Sequence, residues 1–299
     1  MDYDVIVVGA GPAGLSAALI LGRCRRKVLV LDTGRPRNAA AHAMHGFLSR
    51  DGIAPSEFLR IARQQLTQYR SVKFARREAI GAGQVNGGFE VIAADGKKLR
   101  CRKLLLATGV VDELPPIDGI AAYYGRSVFH CPYCDGWESR GQPLAVYSRT
   151  ANGVGLAIEL TVWSQDIVLC TDGARLDAKH VERLKRHKIP WRREPIARLG
   201  GARGRLRQIV FDNGEALARR VMFFSMGQRQ SSNLAHQLGC GFTHKGAVRT
   251  GEYEVTDIHG VYVAGDASKL VQLAIVAAAE GAQAAFAINK ALTREDLAG

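Results

Sequence analysis

The feature that most constrains this chain lies in its first twenty residues. An apolar run, Val5–Val8, leads into Gly9-Ala10-Gly11-Pro12-Ala13-Gly14, and the apolar stretch Leu15–Leu21 follows. That order predicts a buried strand, a tight turn and a helix. Gly9 admits the turn, Gly11 lets a pyrophosphate approach the backbone, and Gly14 lets the helix lie close against the strand. The helix N-terminus then offers N–H groups and partial positive charge to phosphate, with Pro12 and Ala13 in its first turn. Asp32 closes the next predicted strand, 23 residues after Gly9. A carboxylate there accepts from ribose hydroxyls. The whole arrangement predicts a dinucleotide site.

Val5–Gly22 is also the longest uncharged run, close to a membrane span in length, but Gly9, Gly11, Pro12 and Gly14 break a lipid-spanning helix. The start carries Asp2 and Asp4 and leads directly into the first strand, so no signal peptide and a cytoplasmic location are expected.

The 299 residues suffice for two domains. Short β-rich runs alternate with helical stretches, which predicts an α/β fold with parallel sheets. Strands are expected at Val5–Val8, Val28–Leu31, Leu104–Ala107, Leu144–Tyr147, Ile167–Cys170, Val221–Ser225 and Val261–Ala264. Helices are expected at Leu15–Leu21, Ser56–Tyr69, Val154–Trp163, Ala178–Lys188 and Leu273–Asn289. The strand–turn–helix–strand unit recurs near residue 144. The expected architecture is therefore two Rossmann-like dinucleotide-binding domains, the second inserted into the first. Residues 1–113 and 244–299 would form one domain and 114–243 the other, with crossings near Glu113–Gly119 and Gly239–Gly251.

The chemistry is expected at Phe129-His130-Cys131-Pro132-Tyr133-Cys134-Asp135-Gly136-Trp137-Glu138. Two thiols separated by two residues close a small disulfide ring, and such pairs exchange rapidly because their thiolate pKa values are lowered. A carboxylate directly after the second thiol can move the proton as thiol and thiolate interchange. Half of a zinc site and two inert packed cysteines are the competing readings, but no second cysteine pair has zinc spacing. His130 and Glu138 are further candidates for proton transfer, beside ordinary packing and surface roles. His42 and His45 lack a cysteine or carboxylate to complete a ligand set, so no metal is expected. Cys24, Cys101, Cys170 and Cys240 read as small buried hydrophobes.

With the Cys-x-x-Cys-Asp-Gly string, the first fingerprint, Thr108-Gly109 and Gly265-Asp266, the chain resembles the low-molecular-weight thioredoxin reductases, FAD-dependent pyridine nucleotide-disulfide oxidoreductases. The resemblance covers essentially the whole chain. It implies FAD on the first fingerprint, Asp266 bonded to the ribityl chain, and Gln272, Leu273 and Ala274 near the isoalloxazine ring. It implies Cys134 as the flavin-facing thiol, Cys131 as the interchange thiol and Asp135 as acid/base. It also implies a homodimer. Trp137-Glu138 after the Gly is similar to the branch with gliotoxin- and holomycin-type dithiol oxidases.

The second nucleotide unit departs from the family. Where the first has Gly9, Gly11 and Gly14, this one has Ser148, Thr150 and Gly153; side chains at the first two positions crowd the pyrophosphate, while Gly155 offers the loop another register, so the site is expected to be weakened rather than excluded. Its strand ends at Cys170-Thr171-Asp172 rather than in the arginine run that grips a 2′-phosphate. NADPH is therefore expected to be a poor donor, with NADH favoured if any nicotinamide is used; Arg149 or Arg175 reaching the phosphate is the alternative. The substrate is expected to be a thioredoxin-like protein or a small dithiol or disulfide. The formal charge is +13, and residues 175–220 hold 14 Lys/Arg against 5 Asp/Glu. This stretch is a solvated basic face or a dock for an acidic electron carrier. It lacks interleaved aromatics, so nucleic acid is not expected. An ordinary NADPH-dependent thioredoxin-disulfide reductase is the alternative enzyme. A flavin-containing partner-binding protein with regulatory cysteines is the alternative of another class.

Overall fold

The computed structural model describes residues 1–298. The chain forms two compact units, residues 1–39, 46–111 and 229–299 in the first and 40–45 and 112–228 in the second. The chain passes between them at 39/40, 45/46, 111/112 and 228/229, and residues 239–251 lie inside the first unit.

The first unit opens with β1 (Tyr3–Val8), α1 (Pro12–Arg23) and β2 (Val28–Asp32). It continues with α2 (Pro55–Leu66), β3 (Val72–Arg76), β4 (Ala79–Val85), β5 (Gly88–Ala93), β6 (Lys98–Leu106) and β7 (Val110–Asp112). The central strands β1 and β2 are almost wholly buried, which is why they read as unbroken apolar runs rather than alternating ones. The sheet order is β3-β2-β1-β6-β5-β4. β1, β2, β3 and β6 pair in parallel, with Val5 opposite Val28 and Ile6 opposite Leu104. β4 and β5 form an antiparallel extension on β6. Sequence periodicity missed β3, β4 and β5, because they are half-exposed and rich in Gly, Lys and Arg.

In the second unit come α3 (Ile120–Tyr123), β8 (Val128–Phe129), α4 (Pro132–Asp135), β9 (Leu144–Tyr147), α5 (Asn152–Glu159), β10 (Ile167–Cys170) and α6 (Ala178–Arg186). They are followed by β11 (Trp191–Arg192), β12 (Ile196–Ala202), β13 (Arg205–Phe211), β14 (Ala216–Ala218) and β15 (Val221–Phe224), and β16 (Gln228–Gln230) runs across the 228/229 boundary. Five parallel strands run in the order β11-β10-β9-β15-β8. β12, β13 and β14 make a separate antiparallel sheet, in which Leu199, Ile209 and Leu217 align on one face. Back in the first unit are α7 (Leu234–Gln237), β17 (Val261–Val263), parallel to β6, and α8 (Ala274–Ala298).

Each sheet is sandwiched between two apolar clusters. In the first unit, Leu15, Leu21, Ala284 and Ile288 of α1 and α8 cover one face, and Phe89, Leu104, Leu234 and Val261 lie in the cluster on the other. In the second unit, Tyr147, Phe211 and Met222 fill one cluster and Val154, Leu160 and Leu184 the other. A fully buried Leu or Ile such as Leu21 or Ile288 contributes about 2 kcal/mol through the hydrophobic effect. None of the described helices is long and apolar enough to cross a membrane.

Candidate active site: a dinucleotide cradle and a disulfide

In the first unit the cradle is built by close approach. A Cβ at Gly14 would collide with the Gly9 carbonyl, and one at Gly9 with the Ala107 carbonyl. Gly9 also has φ +105°, which side-chain-bearing residues rarely adopt. The β1–α1 turn is thus clamped between the helix and the end of β6. A Cβ at Gly11 would meet nothing within 4 Å, so space stands open at the mouth of α1. No side chain caps α1 at Gly11, and Pro12 occupies its first turn. Asp32 at the end of β2 accepts from the Ala10 N–H (3.1 Å) and the Gly34 N–H (3.1 Å), and Arg63 of α2 pairs with it. These bonds hold the turn closed with a carboxylate at its rim.

Thr108 and Gly109 follow β6. Their carbonyls accept from the Ser231 hydroxyl and the Ser231 N–H. Gly265 and Asp266 follow β17. Arg37 donates to Asp266 at 2.7 Å and to Gln272 at 2.8 Å. The loop after β2 and the segment leading into α8 are so fastened by one arginine. Leu273 accepts from the Ala277 N–H as α8 begins, and Ala274 is its first residue. Arg35 pairs with Glu78 at an exposed position. Arg37, which sequence reasoning passed over, is the arginine of the Gly34–Asn38 loop that reaches Asp266. A single arginine in a loop carries no periodic signal.

In the second unit, Cys131 and Cys134 form a disulfide across one short helical turn, with their Cα atoms 5.3 Å apart. Pro132 starts α4, and the Cys131 carbonyl accepts the N–H groups of Cys134 and Asp135. Ser139 Oγ donates to the Asp135 carbonyl at 2.7 Å. Burial, reinforced by the negative charge of Glu138, pushes the Asp135 carboxyl up to about 7. Glu138 lies 3.6 Å from His45, a residue of the short 40–45 segment that belongs to this unit. His130 Nδ1 lies 3.5 Å from the Tyr124 hydroxyl, which donates to Asp112 at 3.0 Å. Tyr133 and Trp137, on either side of the pair, are exposed.

Beside the disulfide is a cavity of about 610 Å³, lined among others by His130, Pro132, Asn152, Glu159, Arg183 and Met226. It sits at the start of α5, where the second fingerprint falls. Gly153 is required there, because a Cβ would press on the Ser148 side chain. Ser148 is fully buried, and its hydroxyl accepts the Thr150 N–H at 3.2 Å. An amide of the turn is thereby used within the protein. Asp172 ends its strand as Asp32 does, but unlike Asp32 it does not stand at an open rim. It is buried, accepting from the Tyr147 hydroxyl at 2.9 Å and the Ile196 N–H at 2.8 Å, and it pairs with Arg149 at 3.1 Å. Its carboxylate joins β9, β10 and β12, a role that a strand-end position alone did not reveal. Among the described residues no His/Cys/Asp/Glu cluster could hold a metal ion.

Cys101 and Cys170 are buried, and burial pushes both thiols up to about 12, as expected of inert core cysteines. Cys240 is buried too, whereas Cys24 is exposed at the end of α1, contrary to expectation. It lies one turn past the apolar stripe of that helix.

A Gly-clamped dinucleotide turn and a Cys-x-x-Cys disulfide, both on Rossmann-like sheets, define the class: a flavin-dependent disulfide oxidoreductase. The model of the pyridine nucleotide-disulphide oxidoreductase family matches residues 3–281, and the chain belongs to that family. The chain is 31% identical over 299 residues to a probable thioredoxin reductase of Arthroderma benhamiae, covering 89% of this chain and 74% of that protein. It is 32% identical to the thioredoxin reductase sirT of Leptosphaeria maculans, over 99% and 96% of the two chains. A crystal structure of a putative thioredoxin reductase TrxB from Bacillus anthracis superposes with a TM-score of 0.94 at 35% identity, covering 98% and 99%. The open mouth of α1, the clamped turn and the rim carboxylate fit FAD, the cofactor of this enzyme class.

Proposed function

We propose that the protein moves two electrons between FAD and the Cys131–Cys134 pair and onward by exchange with an external dithiol or disulfide, with little use of NADPH. Gly9, Gly11, Pro12, Ala13, Gly14 and Asp32 would hold the adenosine and pyrophosphate end of FAD. Thr108, Gly109, Gly265 and Asp266 would border its flavin half, with Gln272, Leu273 and Ala274 beside the ring. FAD, when bound, supplies two-electron acceptance from the thiol pair. Cys131 meets the external sulfur, Cys134 faces the flavin, and Asp135 gives a proton to the departing Cys134 sulfur or takes it back. At about 7, the Asp135 carboxyl is poised for both directions near neutrality.

The observation that carries the reading of an impaired nicotinamide site is the Ser148 hydroxyl on the Thr150 N–H. In a working turn such amides bind pyrophosphate; here the protein binds its own. The buried Asp172 leaves no carboxylate for a ribose, and no arginine run replaces it. Electrons would then leave a substrate dithiol for the flavin and go on to oxygen. The test is anaerobic mixing of the FAD-loaded protein with NADPH, NADH or a dithiol, following the flavin band. Fast bleaching by dithiol and slow bleaching by both nucleotides supports the reading; fast, saturable bleaching by NADPH restores the ordinary thioredoxin reductase.

One observation favours a second route, inward from an acidic electron carrier. Arg198, Arg203, Arg205 and Arg207 are exposed on β12, β13 and the turn between them, and none has an ion pair among the described residues. Four uncompensated guanidinium groups on one small sheet attract an anionic surface. Salt-sensitive flavin reduction by a reduced acidic carrier, lost in an Arg205→Glu/Arg207→Glu variant, supports this route. A homodimer, by family likeness, and a cytoplasmic site of action complete the reading.

A further inference from the structure

We propose that Glu138 and His45 form the path by which protons pass between solvent and Asp135. The proposal rests on the assignment of Asp135 as the acid/base of the sulfur pair. When an external thiolate attacks Cys131 Sγ, a new S–S bond forms and the Cys131–Cys134 bond breaks. The electron pair goes to Cys134 Sγ, which takes a proton from Asp135. A second external thiol then displaces Cys131, so two electrons pass from the external dithiol to the pair. Asp135 must be reprotonated before the next opening.

The geometry gives that proton a way in. Asp135 is half-buried, and burial is the main cause of its raised value. Glu138, one turn further on, is the charged group whose field acts on it. The Glu138 side chain is 43% exposed and so reaches solvent. His45 stands 3.6 Å from the Glu138 carboxylate, an ion-pair distance that a small side-chain shift closes to a hydrogen bond. Nearby, Tyr133 bonds to Glu159 and Arg140 stacks on Trp137.

His45 comes from a different part of the chain, and its placement is built in. Met44 beside it is buried. Ala40 packs so tightly on Gly125 that a Cβ on that glycine would lie 2.7 Å from the Ala40 carbonyl carbon. The 40–45 segment is thus pinned to the unit that carries the disulfide. The two ring nitrogens of an imidazole can take up a proton on one side and release it on the other. Glu138 and His45 act through Asp135 and are positioning residues, not catalytic ones.

The test uses the FAD-loaded full chain under anaerobic conditions, with dithiothreitol as probe. Opening of the Cys131–Cys134 bond is read by rapid quench and alkylation, independently of the flavin. In low buffer, Glu138→Gln and His45→Gln should each slow opening about tenfold, and added imidazole should restore the rate. Glu138→Gln should also move the Asp135 limb of the pH–rate profile toward acid by about one unit, because a like charge is gone. Wild-type pH profiles and no buffer dependence in both variants would overturn the path. If Glu138→Gln fails to bind FAD, His45→Gln decides alone. Dithiol-dependent opening that survives Asp135→Asn unchanged would instead remove the underlying assignment.

Discussion

The Glu280 carboxylate of α8 accepts the Gly265 N–H at 2.7 Å, so a buried acid holds the turn that presents Asp266. Burial, followed by the charges of Glu254 and Asp266, pushes Glu280 up to about 7 from an ordinary 4.5, while the Gly265 bond pulls the other way. The folded protein therefore holds this proton more tightly than the unfolded chain. Stability from this group is full below about pH 4.5 and is lost as pH rises toward about 7. The loss amounts to about 2–3 kcal/mol between those limits. Glu280→Gln keeps an acceptor for Gly265 and should remove this part of the pH dependence. Urea unfolding at pH 5 and pH 8 checks it: the wild-type midpoint should fall between the two, and the variant's should fall less.

Asp135 has the same sign and a chemical consequence. Its carboxyl, at about 7, is protonated below neutrality and charged above. In the proposed mechanism, opening of the disulfide needs the proton on Asp135 and a thiolate on the attacker. The opening rate should therefore pass through a maximum, with the high-pH limb near 7 set by Asp135. Asp135→Asn should erase that limb and slow opening about 100-fold. Stopped-flow rates from pH 5.5 to pH 9 measure both.

Ser148→Gly would release the Thr150 N–H and clear the turn of α5. Nicotinamide affinity should rise, seen as flavin bleaching by NADH at least about fivefold faster at fixed nucleotide. Thr150→Gly alone should do less, because the Ser148 hydroxyl would still take the amide at that position. Equal bleaching by wild type and Ser148→Gly would show that the turn does not limit the reaction.

Gly14→Ala puts a methyl group into the Gly9 carbonyl. The turn must open, and the cradle with it. The purified variant should be largely colourless, with its flavin-to-protein absorbance ratio reduced at least about tenfold. The overpacking itself costs on the order of 1–3 kcal/mol. Gly11→Ala meets no protein atom; it should keep the fold by circular dichroism yet weaken FAD binding.

Much of this was legible in sequence because it is dictated locally. The Val5–Gly14 string forms β1, the turn and the start of α1, since each glycine answers a contact within the same βα unit. The strands β9, β10 and β15, at Leu144–Tyr147, Ile167–Cys170 and Val221–Phe224, were visible because burial on both faces demands apolar runs. What stayed hidden depends on contacts far apart in the chain. Asp172 looks like Asp32 by position, but only the fold brings Tyr147 and Ile196 to its oxygens. Arg37 meets Asp266 across 229 positions. His45 belongs with Glu138 only because Ala40–Met44 pack onto the second unit. No spacing in the sequence announces such pairs.

The central claim is that electrons cross between the Cys131–Cys134 pair and FAD. The direct measurement is anaerobic titration of the FAD-loaded protein with a small dithiol, without nucleotide, recording flavin absorbance in wild type and Cys134→Ser. The account predicts full bleaching with one dithiol per flavin beyond that needed for the disulfide, and no bleaching in Cys134→Ser. A flavin that stays oxidised while the wild-type disulfide opens, or that bleaches equally without Cys134, contradicts it.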